Sequence, residues 1–508
     1  MYRPLRLVYL LFVQSHQEVE VWALILRDVT VTKMRTTLSI AKTRTVRFIQ
    51  SPVRLLIAAA IFHVLLTLSV FALGRYSVLP TTFDTNGIAV SIAPDGIVHR
   101  EEAAQLGRAL ASGQFRDWLD LSSPFYLKLY SIWFAFLGPL FGSTILSAEP
   151  LNVFFYLTIL VCTFYLGQEV LDRRAGLIAA ATIALWPSFL LHTTQLLKDP
   201  PFIAAMLAFV LVTLRLVSRS YSWPQALGNG AAGGLLAVFI WLARDNMGEL
   251  LIATVLLSAT ILVAQQFREK QLRAANIAGM IFLIIITGGV TRVVPKFSKP
   301  HPHQVAVDIN GPANSLPGGG KIVSPRPGTQ SLNPLARIAA RVGNVRQRFV
   351  SEYPDAASNL DTGIELNSVA DLLGYLPRAA VVGFFAPFPN AWLEKGSQVG
   401  SAGRLLSGLE TLAMYVIEGL ALIGLLNADG GGRRRVSLWL LGLIAALGIL
   451  SLGLVVVNIG ALYRLRYVFL FLLIIMAAGG VTQILERFNL PASLNKPAKA
   501  IDSINPAT

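Results

Sequence analysis

Long apolar runs alternate with short polar ones along most of this chain. A helix needs roughly 20 apolar residues to cross a bilayer, and about ten stretches meet that measure. They lie near 55–74, 150–170, 176–194, 201–217, 226–243, 248–266, 274–291, 405–426, 436–457 and 467–485. The pattern predicts an all-α polytopic membrane protein. Two long polar segments interrupt it, 75–149 after the first span and 292–404 before the eighth. Connections usually run about 4–6 residues, so neither segment is expected to be a mere connector.

The first polar segment has helical character of its own. Asp95, His99, Glu101 and Glu102 open a stretch of helical period that ends near Gly113, and an apolar helix from Phe125 to Leu137 is expected on the membrane surface. The second segment begins with PKFSKPHPHQVAVDINGPANSLPGGGKIVSPRPG, rich in Pro and Gly and without apolar periodicity, which reads as an irregular cover. Asn333 to Tyr353 reads as a basic helix with Arg337, Arg341 and Arg348 on roughly one face. Ser368 to Phe388 is apolar but holds Arg378 and two prolines. A span there would reverse the sidedness of Arg433–Arg435, so a re-entrant or surface helix is expected.

Composition and charge fix the setting. Only 14% of the 508 residues are charged, against about 25% in soluble proteins. The excess of 43 Lys and Arg over 28 Asp and Glu would suit nucleic acid, but much of it sits in short loops beside spans. Those loops are Asp172-Arg173-Arg174, Arg215 to Arg219, Arg268 to Arg273 and Arg433 to Arg435. With the N-terminus inside, all four are cytoplasmic, as the excess of basic residues in cytoplasmic loops requires. No nucleic acid is implied. The lone Cys162 lies in a span and permits no intramolecular disulfide.

Leu7 to Val13 is too short and lacks a following cleavage pattern, so no cleavable signal is expected. The resulting division is a cytoplasmic segment 1–53, a membrane domain 54–291 with the outer loop 75–149, an outer region 292–404, C-terminal spans 405–485 and a cytoplasmic tail 486–508.

The outer face collects the unusual polar residues. Asp95 stands in APDGIVHREEA, Lys198 and Asp199 close WPSFLLHTTQLLKDPP, Arg244 interrupts apolar sequence, and Arg464 and Arg466 stand in NIGALYRLRY. Each has a plain structural account: a helix-start acid, a polar helix stop, a turn, a snorkelling cation. Together they specify complementary chemistry. Guanidinium forks bind phosphate, and a carboxylate takes a proton from a hydroxyl nucleophile. A lipid phosphate is a good leaving group once arginine stabilises its charge. Glu410 and Glu418 lie within a span, where acids are functional candidates; Glu410 is placed to line the cavity with His99, and Glu418 to pair with a neighbouring helix. His301 and His303 stand in a Pro-rich loop without clustered ligands and carry little weight as a metal site.

PDGIVHREEA, YLKLYSIWFAFLG, DRRAG, ALWPSFLLHTTQLLKDP, GFFAPFPNAW and YRLRYVFLFLLIIMAAGG, in that order, resemble the GT-C superfamily of integral-membrane glycosyltransferases over roughly 54–485. The likeness is greatest to the RgtA/B/C/D-like and protein-mannosyltransferase-like branch. It implies a GT-C-like fold, a polyprenyl-phosphate-sugar donor, catalysis on the outer face of a bacterial cytoplasmic membrane and inversion at the anomeric carbon. By position, Asp95 and Asp199 would be the acidic residues, with Glu101 and Glu102 as rivals for the base. Arg464, Arg466, Arg244 and Lys198 would bind donor phosphate. The sequence departs from the pattern where Gly96 follows Asp95 and His99 takes an aromatic's place. A divalent cation is left open, as is the acceptor: a glycan, lipid or protein of the envelope. A lipid-linked glycan transporter or flippase is the alternative class, and a pyrophosphate-glycan ligase the nearer chemical rival.

Overall fold

The first apolar run forms helix α1, Pro52–Arg75, and its sequence explains which face packs. Ala59, His63, Thr67, Val70 and Gly74 are buried, a small and polar stripe at helical spacing. Ile61, Phe62, Leu65 and Leu68 are exposed, as a face against lipid acyl chains requires. A buried imidazole is costly without partners, and His63 has two. Its Nδ1 lies 2.9 Å from Glu149 Oε1 and its Nε2 lies 3.0 Å from Thr193 Oγ1. Thr67 donates to the other Glu149 oxygen at 2.9 Å. Because Thr193 donates its own proton to Leu190 O, its oxygen accepts from His63 Nε2. His63 therefore ties α1 both to Glu149 and to Thr193.

This computed structural model describes residues 51–78, 80, 82–84, 95–120, 123–244, 247–293, 334–352, 354, 356, 358–393, 400–427 and 432–487. Ala58–Ile484 forms one compact unit; Met1–Ile57 and Leu485–Thr508 form another. The expectations for 1–50 and for the Pro- and Gly-rich stretch, with His301 and His303, fall outside the described residues.

After α1 come α2 Asp95–Ala111, α3 Phe115–Asp120, α4 Phe125–Phe141, α5 Ile145–Val170, α6 Arg173–Ala184, α7 Pro187–Thr193 and α8 Asp199–Ser218. Then follow α9 Trp223–Ala243, α10 Gly248–Glu269, α11 Ala274–Val293, α12 Pro334–Glu352, α13 Val369–Phe385 and α14 Gly400–Leu426. The chain closes with α15 Gly432–Val455, α16 Ile459–Leu465 and α17 Tyr467–Arg487. Among the described residues the named elements are all helical, and Asn359 and Asn458 form an isolated bridge. The polytopic all-α expectation holds.

Among the described residues eight helices are long and apolar enough to cross a membrane, nine if α6 and α7 count as one bent span, against the ten or so stretches expected. The stretch 176–194 is not straight: α6 and α7 meet at 69°. Pro187 offers no N–H and disfavours helix at Trp186 before it. The stretch 274–291 falls on α11, whose apolar part, Ala274–Val290, is shorter. Helices α9 and α11 cross closely because Gly230 and Gly279 face each other; a Cβ on Gly230 would meet the Gly279 carbonyl.

The segment around 368–388 forms α13 and is not among the helices long and apolar enough to span. It lies along α15, where a Cβ on Gly453 would strike Ala379 O. Arg346 of the basic helix α12 is 1% exposed and donates to Leu454 O at 2.8 Å and Asp361 O at 2.6 Å. Its guanidinium also lies over the Tyr375 ring. Arg337, Arg341 and Arg348 are exposed on the same helix.

Candidate active site

Four charged side chains from distant parts of the chain meet at one end of the bundle. Asp95 opens α2, and its Oδ2 receives Arg464 Nη1 at 2.8 Å. The same Nη1 lies 4.0 Å from Asp199 Oδ2. Asp199 also pairs with Arg244 through its other oxygen. Local sequence accounts for each placement. Asp199 begins α8, with Pro200 and Pro201 in a first turn that tolerates missing N–H groups, and its charge suits a helix N-terminus. Arg244 ends α9 and Arg464 lies in the last turn of α16, where cations oppose the carbonyl dipoles. Asn458 sets the start of α16 by accepting from Ala461 N at 3.0 Å.

The cluster grades from open to closed. Side-chain exposure is 40% at Asp95 and 27% at Arg464, but 11% at Arg244 and 5% at Asp199. Burial alone would raise the Asp95 carboxyl; the Arg464 guanidinium offsets that and holds it below its ordinary value. Lys198 is adjacent, and burial together with Arg244 lowers its ammonium. Three cations, Lys198, Arg244 and Arg464, thus face two carboxylates, Asp95 and Asp199. The surplus is one positive charge. Buried polar atoms near by in sequence make no hydrogen bond among the described residues: His192 Nε2, Gln195 Oε1 and Arg244 Nε.

The wall of this site is a hydrogen-bonded shell. His99 lies 3.0 Å from Leu196 O through Nδ1, which must be the donor, so Nε2 accepts the Tyr126 hydroxyl at 2.9 Å. Both ring nitrogens are occupied in holding α2 and α4 to the α7–α8 connection. Helix α2 fits against α4 where Gly107 leaves room for Phe134 and the Ser131 carbonyl. Tyr130 donates to Asn152 Oδ1 at 2.7 Å.

Several expected residues stand elsewhere. Arg466 is separated from the cluster: 2% exposed, it donates from Nη1 to Gly383 O at 3.0 Å and Phe384 O at 3.1 Å. Its charge caps the end of α13. Glu101 is exposed, 3.7 Å from Arg100, and Glu102 is half-buried on the next position. Glu410 is 5% exposed, its carboxylate held by several donors. It accepts from the Trp186 indole at 3.1 Å and the Ser188 amide at 2.7 Å, and from the Ser188 and Tyr463 hydroxyls. Glu418 Oε1 makes no hydrogen bond among the described residues.

The Glu410 hub was not anticipated. Tyr467 adds a 2.6 Å contact to Ser188 Oγ. Tyr463 precedes Arg464 in the chain, so the hub fixes the short helix that presents the site arginine. The signal lay in quoted motifs: Trp186 and Ser188 flank Pro187, and Tyr463 and Tyr467 flank the arginine pair at helical spacing. Among the described residues no group of three or more metal-ligating side chains could hold an ion.

No family model matches the chain, and no curated protein matches it. Among solved structures it is similar to archaeal oligosaccharyltransferase AglB from Archaeoglobus fulgidus in complex with an inhibitory peptide and a dolichol-phosphate. The TM-score is 0.37 at 12% identity, over 75% of this chain and 44% of that one. This chain thus spans less than half the length of that protein, and a likeness at this level carries no argument about function.

Proposed function

We propose that the chain is a GT-C-type membrane glycosyltransferase. It moves a sugar from a polyprenyl-phosphate-linked donor to a cell-envelope glycan, lipid or protein at the end of the bundle bearing Asp95. The observation that carries this reading is the graded cluster itself. It has a surplus of one positive charge and a half-buried Asp95–Arg464 pair at its outer edge. In the proposed mechanism the donor phosphate takes Arg464 from Asp95, with Arg244 and Lys198 adding charge beneath it. Freed of its guanidinium, Asp95 becomes a stronger base. It receives the acceptor's hydroxyl proton as that oxygen attacks the anomeric carbon. The carbon–oxygen bond to phosphate breaks on the opposite face, the lipid phosphate leaves with the electron pair, and the configuration inverts. Asp199 holds Arg244 and Arg464 throughout.

In this reading that end faces away from the cytoplasm. In a Cys162→Ala background, a cysteine at Ser112 then reacts with an impermeant thiol reagent in intact cells, and one at Asn427 reacts only after lysis. The function is tested by profiling lipid-linked sugars in a deletion strain. An unused polyprenyl-phosphate sugar accumulates, and the Arg464→Ala gene fails to clear it. An unchanged lipid profile counts against the reading, and accumulation of a pyrophosphate-linked glycan would favour the ligase instead. The transporter alternative draws support from the break between α6 and α7, since transporters bind substrate at discontinuous helices. It predicts donor accumulation on one leaflet with transfer chemistry intact in broken membranes.

A further inference from the structure

The opposite, basic end of the bundle contains a second cationic site that the transfer reading does not use. A cavity of about 320 Å³ opens between the last turns of α5 and α8 and the first turn of α15, lined by Gln168, Glu169, Ser218, Arg219, Arg433 and Arg434. Its walls hold three guanidiniums and one carboxylate, and that carboxylate is already engaged. Glu169 accepts from Ser218 Oγ at 2.7 Å and from Arg219 Nε and Nη2 at 3.0 and 2.6 Å. Arg433 uses Nε and Nη2 on Glu269 at 3.1 and 2.7 Å. The Nη1 group of each arginine has no partner among the described residues, and both side chains are well exposed. Arg434 is exposed and has no partner at all among them.

The first turn of α15 makes this charge more unusual. It carries Arg433, Arg434 and Arg435 with no acidic residue, although a helix N-terminus is itself positive and repels cations. An external anion would offset both charges at once, and arginine forks match phosphate oxygens. The level of the cavity selects the source of that phosphate. Helices α5, α8 and α15 are each long and apolar enough to cross a membrane, and the cavity sits at their ends. Tyr165 and Trp439, 42% and 40% exposed, lie one to two turns in from those ends, the depth at which interfacial aromatics meet headgroups. A volume near the lower bound for ligand pockets, about 300 Å³, suits a headgroup and not a whole lipid.

We infer that Arg219, Arg433 and Arg434 form a binding site for the phosphate of an anionic glycerophospholipid in the leaflet at the basic end. The site is independent of the proposed transfer chemistry, because none of its residues belongs to the Asp95–Arg464 cluster.

Native mass spectrometry of the full-length protein tests it, with phosphatidylglycerol or phosphatidylcholine titrated into detergent micelles. Arg434→Gln is the decisive variant, since that side chain has no partner among the described residues whose loss could unfold the protein. Wild type is expected to retain phosphatidylglycerol in preference to phosphatidylcholine. Loss of one charge-assisted contact should weaken retention by about ten-fold or more, with Arg219→Lys intermediate because its charge remains. Equal retention of the two lipids, or equal retention by wild type and Arg434→Gln, overturns the inference. Inorganic phosphate provides the third arm. Millimolar phosphate that displaces the lipid and binds equally well alone would assign the site to a soluble anion and overturn the lipid assignment.

Discussion

At the basic end of the bundle Arg219 grips Glu169 with its own side chain 53% exposed, and Arg433 grips Glu269 at 39%. At the far end Arg244 and Asp199 are 11% and 5% exposed, and Arg464 reaches both Asp95 and Asp199. The chemical groups are the same, but their surroundings differ. An exposed pair contributes about 0–1 kcal/mol. A buried pair recovers less than its desolvation cost, yet losing one partner costs about 3–5 kcal/mol. The arginines at the basic end therefore stay available to what lies outside the protein, although Glu169 beneath them is 7% exposed. Those at the far end are part of its interior and depend on one another, which is the arrangement expected where a charged group of a substrate must be exchanged for an internal one.

The largest difference between the ends should appear in catalysis. Asp95→Asn is expected to lower sugar transfer by about 10²–10⁴ while donor binding and expression persist, and Glu101→Gln should be mild. Full activity in Asp95→Asn, with loss in Glu102→Gln, would move the base about two turns along α2. Stability should follow the same division. Asp199→Asn leaves Arg244 buried against a neutral amide and should cost about 3–5 kcal/mol, whereas Arg433→Gln at the basic end leaves Glu269 beside Arg273 and should cost about 1 kcal/mol or less. Thermal unfolding in detergent compares them, and equal losses would erase the distinction.

The bundle was legible because the bilayer imposes a simple code on sequence: apolar runs of fixed length, with basic turns gathered at one end. Asp95, Asp199, Arg244 and Arg464 were legible for a related reason, since charge at the other end of apolar helices needs a partner. Partner identity was not legible. Arg464 and Arg466 are two residues apart, so on a helical turn they point to different sides, and only one faces the acids. Glu410 looked like a cavity acid because sequence shows its charge but not the Trp186, Ser188 and Tyr463 donors that enclose it. The His63–Glu149 pair was missed for a similar reason: a lone histidine and a helix-start glutamate, 86 residues apart, give no joint signal.

A smaller effect concerns pH. Burial lowers the His99 imidazole from its ordinary 6.5, against the hydrogen bond to Leu196 O that raises it. A group whose folded value is depressed contributes stability above its unfolded value, and the contribution fades as pH falls below that value. Protonation would put a proton on Nε2, where the Tyr126 hydroxyl now donates. The melting temperature is therefore expected to fall on acidification below about pH 6.5, and His99→Gln should flatten the fall. An unchanged slope would assign it to another group.

Polyprenyl phosphate binding to the purified full-length protein tests the central claim most directly, because it asks whether Arg464 exchanges a carboxylate for a phosphate. Loss of that charge-assisted contact in Arg464→Gln should weaken binding by about one to two decades, with Arg348→Gln, exposed on α12, matching wild type. Wild-type affinity in a folded Arg464→Gln protein would contradict the account.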